Sequence, residues 1–111
     1  MIRGTTPTYT LIIEGQDLSE KTLYVTIKLG RKMLTLTNDR LAITYDSTED
    51  KSLVVFTLTQ EETLFLKVGT GEVQVRFIDS QGTALATEIG KIGINRVLLE
   101  TVIEYEGEEG E

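Results

Sequence analysis

Apolar and polar residues alternate with a period of two along almost the whole chain, and no other feature restricts the fold as strongly. Successive side chains on a strand point to opposite faces, so this period buries one face of an extended segment and leaves the other wet. Tyr9, Leu11 and Ile13 share one face of a first predicted strand. Leu23, Val25, Ile27 and Leu29 share a face of a second, with Tyr24, Thr26 and Lys28 opposite. Leu34 and Leu36 mark a third over residues 32–38, and Leu41, Ile43 and Tyr45 a fourth. Residues 53–58 are apolar on both faces, which suits a central strand. Val73, Val75 and Phe77 mark a sixth, with Glu72, Gln74 and Arg76 opposite. A seventh lies within residues 84–94, where Gly90 and Gly93 suggest a bulge or a close backbone approach.

Turn-forming residues separate these runs. They fall at residues 15–17, 30–31, 38–39, 46–50, 69–71 and 79–82, and the last of these reads as a hairpin. One stretch departs from the rhythm. Thr59, Gln60, Glu61 and Glu62 have the spacing of a capping box, in which the threonine hydroxyl and the glutamate carboxylate each bond the other's backbone N–H. A single helical turn over residues 60–64, crossing between two sheets, is the expectation.

The fold predicted is all-β: an immunoglobulin-like antiparallel β-sandwich of about seven strands with one short helical turn. Its core would include Leu11, Ile13, Val25, Ile27, Val55, Phe56, Val75, Phe77, Leu85 and Ile92. The 111 residues suit one domain, taken as residues 1–105, followed by an acidic, glycine-containing tail over 106–111 that is expected to be disordered. Residues 96–105, with Val97, Leu98, Leu99, Val102 and Ile103, fit a further strand or a short helix equally well.

The chain has no histidine and no cysteine. Ser–His and Cys–His nucleophiles, thiolate metal sites and disulfides are therefore excluded, and the commonest general base is missing. A net charge of −7 opposes phosphate-backbone binding, so no nucleic-acid partner is expected. No stretch has the length and apolarity of a membrane span, and residues 1–6 lack the apolar run of a signal peptide. Neither a membrane partner nor export by the ordinary route is expected.

The remaining constellations have ordinary readings. Asp46, Glu49 and Asp50 lack EF-hand spacing and read as a solvated turn. Glu61 and Glu62 are adjacent, so they diverge on a helical turn and do not form a catalytic carboxylate pair. Gly69, Thr70 and Gly71 lack the lysine and following helix of a phosphate-binding loop. Arg3, Lys28, Arg31, Lys32, Arg40 and Arg76 are dispersed among acids. No catalytic residue, metal site or cofactor is assigned.

Four segments, in order, carry a resemblance. They are Met1-Ile2-Arg3-Gly4-Thr5-Thr6-Pro7-Thr8, Leu58-Thr59-Gln60-Glu61-Glu62-Thr63-Leu64, Val73-Gln74-Val75-Arg76-Phe77 and Gly82-Thr83-Ala84-Leu85-Ala86-Thr87. Their arrangement resembles small structural proteins of tailed phages and prophages of Gram-positive bacteria, and is similar to the N-terminal domain of phage baseplate upper proteins. The resemblance implies a β-sandwich, no enzymatic activity, a place in the virion, and other tail or baseplate proteins or a second copy as partners. Docking would use either an N-terminal arm formed by Arg3, Gly4, Thr5, Thr6 and Pro7, or strand addition at the edge of the first strand. That edge would be covered within one chain only if residues 96–105 paired with it. The alternative function is a carbohydrate- or cell-surface-binding sandwich module, which the 6% aromatic content and the absence of tryptophan make a poor fit.

Overall fold

The computed structural model describes residues 1–79, 81–87 and 89–104. Among these residues eight strands form two antiparallel sheets: β1 (Thr8–Glu14), β2 (Thr22–Leu29), β3 (Lys32–Thr37), β4 (Ala42–Asp46), β5 (Lys51–Thr57), β6 (Gly69–Ile78), β7 (Ala84–Ala86) and β8 (Gly90–Ile94). One sheet has the order β1-β5-β4; the other has β3-β2-β6-β7, with β8 also on β6. Helix α1 (Gln60–Phe65) carries the chain from the first sheet to the second. This is the B-E-D and C′-C-F-G strand order of an immunoglobulin sandwich, with β1 in the B place. Among the described residues, nothing occupies the A place beside β1.

Local chemistry accounts for the connections. β2 and β3 pair through Leu29 and Lys32, and Gly30 has φ +59° at the first of the two loop residues. That is a type II′ hairpin, which needs glycine there. Between β4 and β5, Asp46 accepts from the backbone N–H groups of Thr48 and Glu49. Between β6 and β7, the Asp79 carboxylate accepts from the backbone N–H groups of Gln81 and Thr83, the expected hairpin. The capping box is complete: Thr59 Oγ1 accepts from Glu62 N, and Glu62 Oε1 accepts from Thr59 N.

The sheets meet over Leu23, Val25, Ile27, Leu36, Val54, Phe56, Val75, Phe77 and Ile94, all buried, with Tyr9, Leu11, Ile13, Leu85 and Ile92 packed around them. Val55 is the exception among the expected core residues. On β5 the inward residues are Ser52, Val54 and Phe56, so Val55 lies on the outer face and is only half-buried. Leu18, Leu58 and Leu66 are fully buried although none lies on a strand. Leu58 and Leu66 flank α1.

Three further expectations of the fold differ from the structure. Residues 69–71 are not a turn but the start of β6, paired with β8. A Cβ on Gly71 would stand 3.1 Å from the Lys28 carbonyl oxygen and 3.3 Å from Ile92 Cγ2, so glycine there answers a close approach rather than a bend. The predicted seventh strand is two strands on different stretches of β6. Residues 96–104 are neither strand nor helix. The tail over 106–111 lies outside the described residues.

Ser52 shows how a buried polar group ties a loop to the core. It is fully buried; its hydroxyl donates to Gln16 O at 2.7 Å and accepts from Leu18 N at 2.9 Å. Removing it strands a donor and an acceptor next to the Leu18 anchor. Ser52→Ala should lower stability by about 1–3 kcal/mol in urea unfolding. A loss below about 0.5 kcal/mol would mean that water replaces the hydroxyl.

Candidate functional site

Antiparallel pairing leaves alternate residues of an edge strand facing away from their partner. β1 pairs with β5 in unbroken register from Thr8 with Thr57 to Glu14 with Lys51. Just beyond each end, Leu58 N donates to Pro7 O at 3.0 Å and Gly15 N donates to Asp50 O at 2.8 Å. Residues 7 and 15 thus belong to the hydrogen-bonded pairs, and by alternation so do Tyr9, Leu11 and Ile13. The backbone groups of Thr8, Thr10, Ile12 and Glu14 point the other way. Among the described residues no strand meets them.

An open cleft of about 730 Å³ runs along this edge. Leu11 and Ile13 line it from β1, Val73, Val75 and Phe77 from β6, and Leu85 from β7. It is the gap between the β1 edge and the β7–β8 edge, where an immunoglobulin A strand would lie. The opposite flank is spanned by the chain itself, which passes from β3 to β4 through a short 3-10 turn at Asn38–Arg40. Asn38 fastens that crossing by accepting from Leu23 N and donating to Lys21 O. Along β1 the only acidic or basic residue is Glu14, so the edge has little of the charge that discourages strand addition.

The N-terminal residues proposed as an arm are tied to their own domain. Ile2 forms a parallel bridge to Asn95, and Arg3 N donates to Asn95 O at 3.0 Å. Arg3 is 7% exposed. Its Nε donates to Leu66 O at 2.8 Å, its guanidinium donates to Leu64 O at 2.6 Å, and it pairs with Glu100 at 3.1 Å. These carbonyls are at the C-terminal end of α1, whose last turn has no basic residue of its own, so Arg3 supplies the complementary cation. Gly4 turns with φ +82°, and its N–H donates to Thr63 Oγ1, which in turn donates to Thr5 O. Pro7 is half-buried, and Thr5 and Thr6 remain exposed.

Residues 96–104 lie against α1 rather than β1. Gln60 Nε2 donates to Ile103 O at 3.0 Å and Gln60 Oε1 accepts from Ile103 N at 2.8 Å. They leave the β1 edge open. Leu98, Leu99 and Ile103 stay exposed.

Asp46, Glu49, Asp50 and Glu62 are engaged structurally. Glu62 binds Arg40 through both oxygens, at 2.7 and 2.8 Å, besides closing the capping box. The Arg40 hydrogen bonds hold the Glu62 carboxyl below the usual glutamate range, against the opposing effect of partial burial. In the β4–β5 turn, Asp50 accepts from the Tyr45 hydroxyl at 2.7 Å and Glu49 pairs with Lys51 at 2.7 Å. No helix among the described residues is long and apolar enough to cross a membrane. No protein-family model matches the sequence, and no curated protein matches it.

Two predictions follow from these contacts. Arg3→Ala should cost about 2–4 kcal/mol in chemical denaturation, since it removes a buried cation from two helix-end carbonyls. Arg3→Lys should recover less than half of that, because an ammonium cannot reproduce the planar fork. Full recovery would mean that charge alone matters. Glu62→Gln should cost about 1–2 kcal/mol at neutral pH. Because the folded pKa of Glu62 is depressed, its contribution is complete above the ordinary glutamate value of about 4.3 and is lost as pH falls through the lower folded value. Stability curves of the two proteins should therefore converge below about pH 4; a constant gap down to about pH 2.5 would contradict the ion-pair assignment.

Proposed function

We propose that this chain is a non-enzymatic structural or accessory protein of a phage tail or baseplate, acting in the virion through protein–protein docking. The observation that carries the docking mechanism is the β1 edge: outward backbone groups on Thr8, Thr10, Ile12 and Glu14 beside an apolar cleft. Strand addition uses that combination, with main-chain bonds for affinity and the cleft for side-chain selection. With Arg3 buried in its own domain, the edge rather than residues 3–7 is the better docking element. The non-enzymatic part is supported by the lack of histidine and cysteine and by the structural engagement of Glu62. The phage setting is supported by the order of the four resembling segments.

Quantitative mass spectrometry and immunogold labelling of purified tailed particles from the producing bacterium test the setting. The expected result is a fixed copy number per particle, with label confined to the tail. Absence from particles whose other tail proteins are detected would refute it.

A further inference from the structure

The docking reading leaves the occupant of the β1 edge unnamed, and the edge itself is self-complementary. Two copies of β1 laid antiparallel about a two-fold axis through Leu11 set residue 8 against 14 and residue 10 against 12. Those are the residues whose outward backbone groups meet no strand among the described residues, so each pair exchanges two N–H···O bonds, about eight in all. Leu11 then faces its own copy in a non-bonded pair. A slip of one residue would set outward groups against inward ones and reverse the faces, so only even shifts are possible.

The side chains agree with the same register. On the cleft side Tyr9 meets Ile13 and Leu11 meets Leu11, joining the two clefts into one apolar layer. On the outer face Thr10 meets Ile12, which is 58% exposed in the single chain. The one charge, Glu14, meets Thr8 of the other copy. Parallel pairing would instead bring Glu14 beside Glu14 and repel. An isologous contact also leaves no unpaired β1 edge for further growth.

Resting on the docking reading above, we infer that the occupant of the β1 edge is β1 of a second copy, giving a two-fold dimer with a continuous six-stranded sheet, β4-β5-β1 followed by β1-β5-β4 of the partner. Each copy carries a net charge of −7, so the halves repel at long range and added salt should tighten the dimer.

Sedimentation velocity of the full chain, at concentrations up to about 1 mM, measures the association. The expected result is a monomer–dimer equilibrium that shifts toward dimer between about 30 and 300 mM salt. Thr10→Pro removes an outward N–H without touching the bonds to β5, and should raise the dissociation constant roughly tenfold or more. As the chain has no native cysteine, Leu11→Cys gives an independent reading. The two thiols would lie across the axis at a separation that suits a disulfide, and mild oxidation should yield covalent dimer. Ile13→Cys, facing Tyr9, should yield little.

Three results would overturn the inference: a chain monomeric throughout, a dimer unchanged by Thr10→Pro, or Leu11→Cys cross-linking no better than Ile13→Cys. A chain monomeric throughout but present in particles would put a different protein on the edge, leaving the docking reading intact. A dimer absent from all particles would do the reverse.

Discussion

The outward-facing backbone of β1 is the constraint on which the functional reading depends. Four consecutive alternate residues hold donors and acceptors aimed along the sheet plane, and among the described residues no strand receives them. In water such groups are solvated at little cost, but they form a template for any extended segment. The flank is open because the N-terminal residues cross to the second sheet and bridge Asn95 instead of lying beside β1. The docking of Arg3 and the openness of β1 are thus two consequences of one chain path.

That path is held by contacts between distant parts of the sequence. Arg3 sits under α1, donating to Leu64 O and Leu66 O, while Thr63 receives Gly4 N and donates to Thr5 O. The capping box and the Arg40 pair fix the start of the helix, and Arg3 fixes its end. A six-residue helix has little stability of its own, so these ties are what keep it at the crossing between the sheets.

The parts of this fold that could be read in the sequence are those governed by local rules. Period-two alternation located β1 to β6, and the Thr59–Glu62 spacing located the helix and its cap. The Asp79–Gly82 hairpin followed from turn chemistry. What escaped the reading depends on partners far along the chain. Arg3 looked like part of an unpatterned arm because nothing near it reveals the helix-end carbonyls it meets. Gly69 and Gly71 read as a turn because the close approaches of Leu29 to the first and of Lys28 and Ile92 to the second are tertiary. Val55 reads as inward because β5 is apolar on both faces and alternation alone does not say which is the inner one. Leu18 is not legible as a core residue, because a loop residue carries no periodic signal. The docking surface was half legible: the lack of charge along β1 could be read, whereas the cleft beside it appears only when β6 and β7 are folded opposite.

Residue-resolved amide hydrogen exchange along β1 tests the central claim most directly. In dilute monomer, the amides of Tyr9, Leu11 and Ile13 should be protected by β5, whereas those of Thr10, Ile12 and Glu14 should exchange like exposed backbone. On assembly the second set should become protected while the first changes little. Uniform protection of all six amides in dilute monomer would mean that the edge is already covered within one chain, and the account would be wrong.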